Sequence, residues 1–451
     1  MKRIASILLV FLILMCVGCN NQQTTNGSYD VPETGVVETS QSDTLISDAV
    51  DEGSRKITVY YIKGFGVSSL MSAVKDQIPE DITLDIHEFT DENSMKQEID
   101  TGGMPDLLLL EEGMYREAMN PYTLIADGKA APLSSYIEGE KQTGTLKEED
   151  FFQGVFTVGE IENDVYYLPL SMKSYFGITS ESKYADSPLS ALDQNYTLEE
   201  MIDTLLLDKE QNKASYMLTF PRMTVAPDET ALFMEIMLET GVIKQDPNTG
   251  EVIIVNEELL EKLKDYCKVV SDDLTKSGNI KNSDRFDTFY EDYLMVTPNM
   301  NIAHQTRYWQ SALSELLQEN EKLVFFPSCD KKGAYGASAN IIGLVGADST
   351  EKNAAYRVLR SMMEIPGTTW IGITIGDTPN ALGPVCRKSF EEELQALTDD
   401  YGSKYKLNAQ TFTREALGEA QKEALSDWSD KVEIKPILSM TMYEFVAKLL
   451  G

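Results

Sequence analysis

The chain has 451 residues, with 73 acidic against 39 basic side chains and a formal net charge of −34 at pH 7. Nucleic acid and other polyanions are recognised by clusters of lysine and arginine, so a balance this acidic excludes them as partners. Two histidines and five cysteines leave little material for metal sites or for histidine-dependent nucleophilic catalysis.

Lys2 and Arg3 precede an apolar run from Ile4 to Val17, followed by Gly18 and Cys19. The run is shorter than the roughly 20 residues of a membrane span and reads as an export signal over 1–18. "CVGC" at 16–19 resembles a bacterial lipobox, with Cys16 where leucine is favoured. That resemblance implies cleavage before Cys19 and a diacylglyceryl group on it, anchoring the protein to the outer face of the cell membrane. From Asn20 to Ser54 there are seven acidic residues, no lysine or arginine and one aromatic, Tyr29. Such a stretch buries too little apolar surface to offset its ordering entropy, so 19–54 is read as a disordered acidic tether reaching on the order of 35 Å.

The remaining part, from residue 55, is long enough for two lobes of ordinary domain size. "ITVYYI" (57–62), the glycines 64 and 66 and the helical pattern before Pro79 read as strand, loop and helix. "ITLDIHEF" (82–89) is an alternating strand, and a helix follows it with Thr90 or Asp91 as cap and Gly102 and Gly103 as stop. "LLLL" (107–110) is an unbroken apolar run, which implies a strand covered on both faces. Glu111 and Glu112 then stand at its carboxyl end, where open α/β sheets bind ligands. A short helix is expected around Met114 to Met119, and β-rich pieces around Pro169.

Further on the texture turns helical. "TLEEMIDTLLLDK" opens with a capping box, Thr197 and Glu200, and helices are expected in "DETALFMEIMLETG" and, behind Asn256 as cap, in "EELLEKLKDYCKVVSDDL". "KLVFFP" and "NIIGLVG" restore strand character before the helical "KNAAYRVLRSMMEI" and two last helices near Thr413–Trp428 and Met440–Leu450. Strands alternating with helices give an α/β class. "DPNTGEVIIVNE" carries Glu251 where a calcium loop requires glycine, and reads as a turn into a strand. Cys267, Cys329 and Cys386 show no metal spacing, and burial of all three thiols suits their odd number better than a disulfide framework. No nucleophile-elbow, zinc-protease, P-loop or dinucleotide fingerprint occurs, so neither an enzyme nor a cofactor is expected.

The order of "ITVYYI", "MPDLLLL", "VYYLPL", "YLMVTP" with the following "HQTRYWQSAL", "GAYGASANIIGLVG", "STEKNAAYRVLRSMM" and "NALGPVCRKSFEEEL" resembles the extracellular solute-binding proteins of bacterial ATP-driven importers, the group typified by maltose-binding protein. The resemblance implies two α/β lobes joined by a multi-strand hinge, lobe one over 55–170 and 328–380 and lobe two over 171–327 and 381–451. It also implies a solute, sugar or oligosaccharide, held between the lobes for delivery to transmembrane permease subunits by a monomeric receptor. An anchored carbohydrate-active hydrolase and a surface sensor or adhesion lipoprotein are the alternatives, and a peptide, an amino sugar or a polyamine are the alternative ligands.

Sugar recognition needs aromatic faces and hydrogen-bonding carboxylates or amides. On the implied template the candidates are Phe65 after the first strand, Glu111, Glu112 and Tyr115 after the third, Tyr175 past the first hinge segment, Trp309, Tyr335 between Gly333 and Gly336, and Asp377 and Asn380 near the last crossover. Successive side chains point opposite ways, so one of Glu111 and Glu112 is expected to complement a helix dipole and the other, Glu112 by preference, to face the cleft.

Overall fold

In the computed structural model, which describes residues 55–75, 77–112, 119–192, 195–211, 218–219, 240–246, 251–277, 294–298, 321–367, 383–398, 406–407, 410–411, 419–437 and 445, the first two β-rich runs pair as parallel strands. β1 (Arg55–Ile62) leads through Gly64 into α1 (Phe65–Val74), and β2 (Ile82–Phe89) lies beside β1. α2 (Glu92–Gly102) is capped by Asp91, whose carboxylate accepts from the Ser94 amide at 2.9 Å, and Gly103 ends it at φ 88°, a conformation that suits glycine. β3 (Leu107–Glu111) then enters parallel to β1, with Leu107 to Leu110 all buried as the unbroken run demanded.

α3 (Pro121–Ala126), α4 (Ser134–Thr143) and the small hairpin of β4 (Glu160–Ile161) with β5 (Asp164–Val165) lead to β6 (Tyr167–Lys173). β7 (Tyr175–Ser180) starts a second sheet. α5 (Glu181–Asp186) and α6 (Leu198–Gln211) follow it. The capping box forms as read: Thr197 Oγ1 accepts from the Glu200 amide at 3.1 Å, and Glu200 Oε2 accepts from the Thr197 amide at 2.8 Å. β8 (Leu218–Thr219), β9 (Ile243–Gln245), β10 (Val252–Ile254), α7 (Glu257–Ser277), β11 (Leu294–Pro298) and β12 (Glu321–Phe325) come next, with Asn256 capping α7 through the Leu259 amide at 3.0 Å. The second sheet has the order β12-β7-β11-β8, and β9 pairs with β10 alone.

β13 (Tyr335–Val345) returns to the first sheet, followed by α8 (Lys352–Met363), α9 (Arg387–Thr398), the short pair β14 (Lys406–Leu407) and β15 (Gln410–Thr411), α10 (Glu419–Lys431) and β16 (Val432–Lys435). The first sheet runs β16-β13-β3-β1-β2, with β6 also on β13. β13 is antiparallel to β3 and β6 and parallel to β16, so the sheet is mixed. α8 buries Ala354, Ala355, Val358, Leu359, Met362 and Met363. Gly343 admits it: a Cβ there would stand 2.1 Å from Leu359 Cδ2. Phe152, Phe390 and Trp428 form an aromatic cluster that packs residues 151–156 against α9 and α10.

Strand pairing crosses two boundaries read from the sequence. The division at 170/171 falls inside β6, whose pairing with β13 runs on to Met172. Residues 381–451 were expected in the second lobe, yet β16 pairs with β13 over Tyr335–Ser338, and the Phe152 amide donates to the Val385 carbonyl at 3.1 Å. The return to the first sheet is a non-local pairing of a four-residue strand, which local pattern cannot announce. Among the cysteines, Cys386 is a buried free thiol and Cys329 a partly buried one, while the Cys267 side chain lies outside the description. No described helix is long and apolar enough to cross a membrane.

Candidate functional site

The two successive carboxylates Glu111 and Glu112 stand at the carboxyl end of β3. α1 begins without a cap of its own, since Gly64 has no side chain and the first turn carries no acidic residue. Glu111 supplies the missing acceptor from β3: its Oε1 accepts from the Gly66 amide at 3.1 Å and its Oε2 from the Val67 amide at 2.9 Å. The residue is 5% exposed. Gly64 makes the approach possible, because a Cβ at that position would lie 2.2 Å from Glu111 Oε2. Glu111 thus complements a helix dipole, as one of the pair was expected to, but from inside the protein and on the helix that precedes its own strand.

Glu112 points the other way. Its backbone amide donates to the Asn340 carbonyl on β13 at 2.8 Å, and its Oε2 lies 3.1 Å from Lys173 Nζ at the end of β6. The two side chains are 3% and 16% exposed, so this is a nearly dry ion pair. Beside it β13 contributes Ser338 and Asn340, both buried, whose Ser338 Oγ and Asn340 Nδ2 have no hydrogen-bond partner among the described residues. Ser171 Oγ accepts from the Ile341 amide at 3.1 Å, and Ser174 Oγ donates to the Gly336 carbonyl at 3.0 Å, which fixes the ends of β6 and β13 to each other. An irregular register between β6 and β13 at Ala339 to Ile342 opens this part of the ladder.

The turn between β12 and β13 gathers a second set of charges. Asp330 receives Lys244 Nζ at 2.5 Å and Lys435 Nζ at 3.1 Å, joining the turn after β12 to β9 and to β16. Burial would raise its carboxyl, but the hydrogen bonds from Lys244 and Ser328 and the Lys435 charge outweigh it and hold the group well below the usual carboxylate range. The Cys329 amide donates to the Thr240 carbonyl at 2.8 Å, and its thiol is pushed up to about 11, first by burial and then by the Asp330 charge. Tyr335 packs its ring against Phe325 at 5.3 Å, and burial, with Asp427 adding, moves its hydroxyl up to about 12. Of the glycines flanking it, Gly333 has Asn195 alongside, whose Oδ1 would stand 3.0 Å from a Cβ there, and the Gly336 carbonyl is taken by Ser174.

The structure therefore brings Glu111 and Glu112 together at one strand end and sets Tyr335 at the start of the strand that passes them. Phe65 opens α1 and Tyr175 opens β7, with their side chains outside the description; Cys19, Tyr115, Trp309, Asp377 and Asn380 lie outside the described residues altogether. Sequence reasoning missed Lys173, Ser338 and Asn340. The signal for each was a polar residue inside an otherwise apolar strand, "YLPLSMK" and "YGASANIIGLV".

No protein-family model matches the chain, and no curated protein matches it in sequence. Solved structures do match it. The sugar-binding protein MalE from Xanthomonas citri is 13% identical with a TM-score of 0.51, covering 88% of this chain and 92% of that one. An extracellular solute-binding protein of family 1 from Alicyclobacillus acidocaldarius is 12% identical with a TM-score of 0.52 over the same shares. A sugar transporter from Rhizobium etli in an open conformation is 14% identical with a TM-score of 0.50, again over 88% and 92%. At these identities the likeness establishes the two-lobed periplasmic-binding-protein fold for most of the chain.

Proposed function

We propose that the chain is an extracytoplasmic solute receptor that captures a carbohydrate or related polyol between its lobes and hands it to the permease of an ATP-driven importer. The observation that carries the reading is the end of β3, where the buried donors Ser338 Oγ and Asn340 Nδ2 stand beside the Glu112–Lys173 pair at the carboxyl end of a sheet in a two-lobed binding fold. A buried donor left unmade costs about 1–3 kcal/mol, which a hydroxyl-bearing ligand recovers when it accepts from it. Sugars offer hydroxyl oxygens as acceptors at the density such a site needs. Similarity to sugar-binding structures supports a carbohydrate, and the lipobox-like "CVGC" with its acidic tether supports anchoring through Cys19 on the outer face of the membrane. Binding of this kind involves no covalent step.

A thermal-shift panel of mono- and oligosaccharides, polyamines and short peptides tests the reading, because a ligand that binds only the native state stabilises it by mass action. The expected result is a rise in Tm with one class of sugar, lost in Asn340→Ala while the unliganded variant melts with wild-type cooperativity. A rise only with polyamines or peptides would reassign the ligand, and no shift at millimolar sugar would remove the receptor reading.

A further inference from the structure

Two lysines flank Ser338 on the first sheet, yet its fully buried hydroxyl has no hydrogen-bond partner among the described residues. β3 runs down β13 as far as Asn340, whose carbonyl receives the Glu112 amide at 2.8 Å, and β16 runs up β13 as far as Ser338, which is paired with Lys435. Paired residues, and residues two apart on one strand, share a sheet face, so Glu112, Asn340, Ser338 and Lys435 project from the same side and Glu111 from the other. The pairing of Ala339 with Met172 brings Lys173 alongside Ser338 from β6. Buried hydroxyls are normally hydrogen-bonded, and an ammonium across the ladder is an obvious donor. Each ammonium is drawn to carboxylates instead. Lys173 Nζ lies 3.1 Å from Glu112 Oε2, while Lys435 Nζ donates to Asp330 Oδ1 at 3.1 Å, to Asp330 Oδ2 at 3.4 Å and to Glu433 Oε2 at 3.2 Å. Three acceptors match the three N–H groups of the Lys435 ammonium, and its side chain is only 9% exposed, so these carboxylates and not water fix where its charge sits.

We propose that Asp330 and Glu433 are positioning residues of the ligand site: they hold the Lys435 ammonium off Ser338, as Glu112 holds Lys173, and so keep the Ser338 hydroxyl unpaired for an oxygen of the solute. The role toward a solute rests on the reading of the chain as a receptor, whereas the withholding of Lys435 does not. A charge-assisted bond to a carboxylate is stronger than one to a neutral hydroxyl, so the lysine turns to Ser338 only when its carboxylate is removed. The unmade bond is a loss of stability that the fold retains for binding, and a solute that completes it recovers that loss.

The test has two arms, both read by thermal melting, and the first needs no ligand. Ser338→Ala is made in four backgrounds: wild type, Asp330→Ala, Lys435→Met, and Asp330→Ala with Lys435→Met. In wild type the hydroxyl bonds nothing, so Ser338→Ala is expected to leave Tm unchanged or to raise it. In Asp330→Ala the released ammonium turns to Ser338, and the same substitution is expected to lower Tm by about 1–3 °C. Adding Lys435→Met is expected to abolish that lowering. A structural Asp330 would lower every Tm and leave the effect of Ser338→Ala the same in all four backgrounds, which overturns the proposal, as does a lowering in wild type. If Asp330→Ala melts without a cooperative transition, Glu433→Ala releases the same ammonium from its other carboxylate and is judged by the same criteria. The second arm offers glucose, galactose and maltose at millimolar concentration. Whichever of them raises the wild-type Tm is expected to lose that rise in Asp330→Ala and to regain it when Lys435→Met is added. A rise that persists in Asp330→Ala overturns the positioning role toward the solute and leaves the receptor reading standing. Silence from all three sugars in wild type counts against the receptor reading alone, and the change of sign in the first arm still decides whether Asp330 holds Lys435 off Ser338.

Discussion

The end of β3 and the turn between β12 and β13 both concentrate charge, but the carboxylates of the first are dry and that of the second is partly wet. At the strand end each carboxylate has its own dedicated partner: Glu111 the amides of α1, Glu112 the ammonium of Lys173, with the Glu112 side chain only 3% exposed. In the turn, Asp330 is 27% exposed and shares itself between Lys244 and Lys435, and Lys332 reaches Glu200 across open solvent. A buried charge that loses its partner is left in low dielectric with nothing to replace it, whereas a charge at the surface finds water. The dry arrangement fixes geometry, as the proposed ligand site requires. The wetter one ties together segments distant in sequence through a partly exposed Lys244 and a Lys435 that is only 9% exposed.

The largest expected effect follows from breaking the dry pair on one side. Glu112→Ala removes the carboxylate that Lys173 approaches at 3.1 Å, and a loss of about 3 kcal/mol is expected from breaking a nearly dry pair on one side. Lys173→Met in the same chain removes that charge, so the double variant is expected to recover most of the loss, which a double-mutant cycle from urea midpoints would show. If Glu112→Ala costs no more than a substitution in the turn, the strand end is wetter than its exposure indicates and the contrast between the two regions fails.

What could be read from the sequence was local. The cover on Leu107 to Leu110, the Asp91 and Asn256 caps and the reciprocal Thr197–Glu200 box each depend on residues within a few positions of one another, and each forms as its pattern implies. The alternation of side chains also gave the opposite directions of Glu111 and Glu112. The partners did not follow from any pattern. The Glu111 carboxylate crosses 45 residues to reach Gly66, Lys435 lies 105 residues from Asp330, and β16 joins the first sheet only because β13 extends beyond β3 to receive it. Each of these contacts is fixed by the register of the whole sheet, which is a property of the assembled strands and not of any one of them.

In the turn the expected effect is intermediate and depends on pH. Asp330→Asn removes a charged acceptor shared by two lysines, and at neutral pH a loss of about 1–2 kcal/mol is expected, discounted for its partial exposure. The Asp330 carboxyl is held low in the folded protein, so the stability it contributes is fully present above the ordinary carboxylate range, near pH 4, and is lost as the pH falls toward the lowered folded value. The gap between wild type and Asp330→Asn in urea denaturation should therefore be open at pH 6 and narrow progressively below pH 4. A gap that stays constant across that range would mean that the lost packing of the side chain, and not its charge, accounts for the difference.

The smallest effect sharpens the contrast most. Lys332 and Glu200 approach to 3.6 Å with side chains 57% and 49% exposed, and Glu200 already has the Thr197 amide as a hydrogen-bond donor at 2.8 Å. Holding the long lysine in one geometry costs side-chain entropy that the screened attraction barely offsets. Lys332→Ala is therefore expected to leave the melting temperature unchanged at physiological salt, and to remain indistinguishable from wild type as salt is varied. A clear loss that grows at low ionic strength would show that this exposed pair acts together with the neighbouring Asp330 cluster as one network, and the turn would then have to be counted with the strand end among the places where the fold is fixed by charge.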